Sequence, residues 1–99
     1  MPRYCTRSGV VLTSICEEYV LVAAFSLRKQ IPAYAKLNES SAFLWRLLEN
    51  GADEEDLLQA VMKEYTIEDP DEARSAIDAF IGQMVQIGYL LKEGEQDEE

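Results

Sequence analysis

The sequence predicts an α+β domain whose short antiparallel strands come first and whose three helices follow. Three observations predict it. Residues 9–15 and 19–25 are rich in β-branched and aromatic side chains, which suit a pleated, half-buried surface. Between residues 31 and 45 the spacing of apolar residues changes from two to about 3.6, so a strand runs directly into a helix. Beyond that junction Asn38, Asp53 and Asp69 each stand just before a run with helical apolar spacing, as N-caps do.

Taken in order, residues 9–15 and 19–25 form a hairpin across a connector of three residues, Cys16, Glu17 and Glu18, which lacks the Asn-Gly or Asp-Gly signature of a two-residue turn. Cys16 closes an apolar run and reads as a small buried hydrophobe. After a polar connector, the third strand covers residues 31–37. Ile31, Ala33, Ala35 and Leu37 lie on one face, and Pro32, Tyr34 and Lys36 on the other. Pro32 lacks an N–H and Lys36 carries a charge, both of which suit an edge strand.

The first helix covers about residues 39–49, with Ala42, Leu44, Trp45 and Leu48 inward and Asn50-Gly51 as its left-handed exit. Asp53 caps the second, whose acidic start suits the helix dipole and whose core face is Leu57, Leu58, Val61, Met62 and Tyr65. The third has Asp69 as N-cap, Pro70 at its first position and Glu72 at capping-box spacing, and runs to Gly88. Its apolar arc, from Ala76, Phe80 and Ile87 through Ala73 and Met84 to Ile77, Ile81, Val85 and Arg74, spans about 180°, wider than a surface helix needs. Residues 88–91 offer a short C-terminal extended segment. One domain therefore occupies residues 1–92, and residues 93–99 form an acidic tail expected to be disordered. Three strands on three helices with a terminal extended piece make a winged-helix-like α+β domain.

Composition narrows the function. The 99 residues are 47% apolar, enough for one core. No stretch approaches the roughly 18 apolar residues of a membrane span, and residues 1–4 do not open a signal peptide, so a cytoplasmic location without membrane attachment is expected. Residues 1–37 hold five basic and two acidic residues, a net of +3; residues 38–99 hold four and seventeen, a net of −13. A helical half this acidic repels a phosphate backbone, so nucleic acid is not the expected partner.

Chemistry is sparse. There is no histidine, and two cysteines, Cys5 and Cys16, do not make a four-ligand zinc site or, in a reducing context, a structural disulfide. There is no Gly-rich phosphate loop and no serine or cysteine in a nucleophile motif, and the carboxylates cluster at helix starts and in the tail, where solvation and the helix dipole account for them. The expectation is a binding module with no catalytic residues, metal or cofactor.

The stretch Leu37-Asn38-Glu39-Ser40-Ser41-Ala42 followed by Leu44-Trp45 and Leu47-Leu48, then Asn50-Gly51, a Leu57-bearing second helix ending at Tyr65, and the pattern Ile77, Phe80-Ile81, Met84, Gly88-Tyr89-Leu90, resembles the PqqD family over about residues 9–91. That resemblance implies a recognition domain that captures the leader of a ribosomally made precursor peptide and serves a modifying enzyme, often a radical S-adenosylmethionine protein. It also implies that the leader adds as a strand beside the third strand, in a groove against the third helix. Carried onto this sequence, the strand wall is Ala33, Tyr34, Ala35, Lys36 and Leu37. The helix wall is drawn from Ala73, Arg74, Ile77, Ile81 and Met84, with Lys36 and Arg74 as basic contacts for leader carboxylates.

Two other readings stand beside this one. A winged-helix transcriptional regulator needs a basic recognition helix, whereas the third helix offers only Arg74 and the second only Lys63. A protein-docking adaptor would use the wide arc of the third helix. The exposed strand edge leaves either a monomer or a weak or swapped homodimer open.

Overall fold

A computed structural model of the chain describes residues 2–93. Strands β2 (Val10–Ile15) and β3 (Glu18–Ala23) form the expected hairpin, in register from Val10↔Ala23 to Ile15↔Glu18. That register leaves two residues, not three, in the turn. Cys16 and Glu17 both take positive φ, 52° and 67°, the double left-handed conformation of a tight turn whose twist matches its strands. Cys16 is therefore exposed at the hairpin tip, contrary to its reading as a buried hydrophobe. The reason is one of length: Ser14 and Ile15 are exposed too, so the hairpin overshoots the helices that would have covered it.

The third expected strand is β4 (Tyr34–Leu37), three residues shorter than its periodicity suggested. A 3-10 turn at Phe25–Leu27 leads into bends that carry the chain past Ile31, which is buried but not in the sheet. β4 pairs antiparallel with β3, from Tyr19↔Leu37 to Val22↔Tyr34, and the order β2-β3-β4 leaves it at an edge.

A second three-stranded antiparallel sheet had only its C-terminal strand expected from the sequence. β1 (Arg3–Thr6) pairs with β5 (Ala52–Asp53) on one side and with β6 (Leu90–Lys92) on the other. Strands of two and four residues are too short to show a period, which is why the sequence did not reveal them. Arg3 holds this sheet to its surroundings, donating to Asp56 (3.2 Å), Glu93 (3.3 Å) and the Gly51 carbonyl (2.9 Å). Glu93 is thus tied to β1, and the remainder of the acidic tail, residues 94–99, lies outside the described residues.

The helices begin where their caps predict. Asn38 Oδ1 accepts the Ser41 N–H (2.8 Å) at the start of α1 (Glu39–Leu48). Asp53 and Asp56 exchange bonds in a capping box at the start of α2 (Glu54–Glu64), and Asp69 accepts from Asp71 and Glu72 at the start of α3 (Pro70–Gln86). Gly51, at φ 83°, turns the chain out of α1. No helix among the described residues is long and apolar enough to cross a membrane.

Trp45, Leu48, Leu21, Leu57 and Tyr89 centre the core, with the Trp45 and Tyr89 rings edge to face at 6.4 Å. Two helix faces are narrower than expected. On α2 only Leu57 and Leu58 are buried; Val61 is half-buried against the core, Tyr65 packs edge-on to Phe43, and Met62 is exposed. On α3 Ile77, Phe80, Ile81 and Met84 are buried, whereas Ala76 and Val85 at the margins of the arc face solvent.

Candidate functional site

An edge strand is a site when its outward main-chain groups are open, and the hydrogen-bond parity of β4 decides which these are. In an antiparallel ladder alternate residues bond to a given neighbour. The Ala23 N–H donates to the Ala33 carbonyl (2.9 Å), which makes 23/33 a bonded pair and, two residues on, 21/35 and 19/37 as well. The other side of β3 agrees: the Ala24 N–H donates to Gly9 (2.7 Å), so it is the even-numbered residues of β3 that bond to β2. Ala33, Ala35 and Leu37 therefore spend their backbone groups on β3. Tyr34 and Lys36 turn theirs to the open edge.

Side chains divide the same way. Ala35 and Leu37 pack partly against the core, while Tyr34, 64% exposed, and Lys36 stand on the outer face of the sheet. Tyr34 continues a cross-strand row with Val22 and Val11. Lys36 reaches Glu18 on the neighbouring strand (3.4 Å), with both side chains more than half exposed. A recess of about 370 Å³ opens beside Lys36 and Leu37, and Glu17, Glu18 and Glu39 line it.

The expected helix wall is not assembled in the same manner. Ile77, Ile81 and Met84 are closed into the core, and Arg74, half-buried, donates to Glu55 of α2 (3.3 Å). The main neighbours of α3 are α2 and β6; those of β4 are β3 and α1. The region just beyond α3 reaches the β4 side instead. Gly88, at φ 88°, comes so close to Ile31 that a Cβ there would sit 2.6 Å from the isoleucine methyl. The next residue, Tyr89, is fully buried, and its hydroxyl donates to the Pro32 carbonyl (2.8 Å). Sequence reasoning gave Tyr89 no role at the edge. Its pairing with Pro32 spans 57 positions, and no local signal announces it.

The sequence profile described as coenzyme PQQ synthesis protein D (PqqD) matches residues 14–90. The chain belongs to the PqqD family. Two solved structures share the fold. One is a lasso peptide synthetase B1 complexed with the leader peptide, with a TM-score of 0.70 and 22% identity over 89% of this chain and 96% of that one. The other is TbiB1 in complex with the TbiA(beta) leader peptide, with a TM-score of 0.69 and 25% identity over 94% and 99%. No curated protein matches the chain. The PqqD match spans β3, β4 and all three helices, so both the open edge and the helix once expected to face it fall inside it.

Proposed function

We propose that this PqqD-family chain is a non-catalytic recognition module that captures the leader of a ribosomally made precursor peptide as an added strand on β4 and presents it to a modifying enzyme. The observation that carries the reading is the open main chain of Tyr34 and Lys36 at the edge of β2-β3-β4. Strand addition draws affinity from such groups and specificity from the side chains beside them. The two structures of this fold that hold leader peptides support the same reading.

The site comprises Ala33, Tyr34, Ala35, Lys36 and Leu37. Of the helix residues expected to face it, Ala73 and Arg74 remain accessible on α3, while Ile77, Ile81 and Met84 are closed into the core behind them. The two cations contribute little to affinity, because each already has an exposed or half-exposed acidic partner, Glu18 for Lys36 and Glu55 for Arg74. The enzyme served is of the radical S-adenosylmethionine type that PqqD-like modules accompany, and the setting is the cytoplasm.

The test is titration of the isotopically labelled chain with the precursor encoded beside its gene, read by amide shifts. Tyr34 and Lys36 should move most and their amides should become protected from exchange. Duplex DNA, added as a control, should move neither. Binding that leaves both amides unchanged would overturn the edge as the site.

A further inference from the structure

We infer that Tyr89 sets the length of the peptide strand this chain accepts. The inference rests on the strand-addition reading above and goes beyond it. An added strand is held by its own N–H groups donating to edge carbonyls and by its carbonyls accepting edge N–H groups. The number of peptide amides engaged therefore equals the number of open edge carbonyls, whether the peptide runs parallel or antiparallel to β4.

Parity places those carbonyls at alternate residues: Pro32, Tyr34, Lys36 and Asn38. Both outer ones are already occupied. The Asn38 carbonyl accepts the Ala42 N–H (2.9 Å) as the first bond of α1, so the helix closes that end. The Pro32 carbonyl accepts the Tyr89 hydroxyl (2.8 Å), and proline has no N–H to offer in exchange. Tyr34 and Lys36 remain, and the edge holds two peptide amides spaced two residues apart. In the antiparallel arrangement a single peptide side chain between them points inward opposite Ala35, whose small size leaves room for a large apolar residue against the half-buried inner face.

Tyr89 is built to hold this position. The residue is fully buried, its ring stands edge-on to Trp45, and the adjoining Gly88 packs against Ile31 next to Pro32. It is a positioning residue, acting through the Pro32 carbonyl on where the pairing ends.

The probe is a short peptide selected on the intact chain from a randomised display library and shown by amide shifts to bind at Tyr34 and Lys36. Its backbone nitrogens are methylated one at a time. In the parent protein two positions, two residues apart, should each lose about tenfold or more in affinity, since each methyl removes a hydrogen bond. In Tyr89→Phe the freed Pro32 carbonyl should make a third position sensitive, two residues further along, on the side of the pair that lies against Tyr34. Circular dichroism would establish that the variant is folded. Two sensitive positions in the parent and the same two in Tyr89→Phe would overturn the role of Tyr89 while leaving strand addition intact, as would three in the parent. Failure to select any peptide that moves Tyr34 and Lys36, or a selected peptide with no sensitive position, would overturn strand addition itself and this inference with it.

Discussion

In the proposed strand addition the backbone of Tyr34 and Lys36 is what a docking peptide meets, and the side chains are secondary. Lys36→Ala should change leader affinity by less than about fivefold, because the ammonium is exposed and engaged with Glu18. Lys36→Pro keeps the bonds to β3 and deletes an outward N–H, so it should fold and lose about tenfold or more. Calorimetric titration of both variants checks this, and equal losses would assign the affinity to the charge. Ala35→Pro is the informative contrast. Its N–H faces Leu21, so it should unpair β4 and lower stability before binding is ever measured. Tyr89 adds a pH signature: burial pushes its phenol above the usual 10.0. The folded state thus holds a proton that the unfolded chain releases first. The stability this represents is complete below pH 10 and is lost as pH rises through the folded value. Tyr89→Phe should flatten that decline in urea midpoints measured across the alkaline range.

Among the elements, the hairpin turn departs furthest from what its residues favour. Cys16 and Glu17 both occupy left-handed conformations, which cost a residue with a Cβ about 1–2 kcal/mol each. Glu17→Gly should therefore raise stability by about 1 kcal/mol, and because Glu17 also lines the recess beside Lys36, titration shows whether that recess contributes to leader affinity. Thermal melts and titration together test it, and a destabilised variant would mean that Glu17 makes a contact worth more than the strain. The helices agree with their sequence signals, because caps act through neighbours within one turn. Asp69→Ala removes the acceptor of two first-turn N–H groups and should cost about 1 kcal/mol in chemical denaturation. The width of the α3 stripe was less legible. Periodicity tells which residues share a face, but how far cover extends depends on neighbours that α2 and β6 supply and that Ala76 and Val85 lack.

The whole molecule is held by a sheet that joins its two ends. β1 takes β5 on one side and β6 on the other, so the first residues and the last described ones stabilise each other across about the full length of the chain. Removing residues 1–6 should strip both partners of their pairing, broaden the unfolding transition and promote association at the exposed edges. Sedimentation and calorimetry would register this, and a sharp transition from a monomer would show that the second sheet is dispensable. At this scale the net charge of −10 adds a long-range repulsion toward other anions that does not depend on how the chain folds.

Composition, caps and periodicity by themselves determined the α+β class, the starts of the three helices, the burial of Trp45 and an edge strand within residues 31–37, of which the structure keeps Tyr34–Leu37. All of these rest on interactions among residues a few positions apart or on the partition of side chains between water and core. The tertiary structure decided the rest: which backbone groups of that strand face outward, that Cys16 sits on an uncovered tip, that Arg74 turns to Glu55, and that the Tyr89 hydroxyl donates to the Pro32 carbonyl at one end of the edge. Those facts depend on register and on contacts between residues far apart in sequence, and no window along the chain contains both partners.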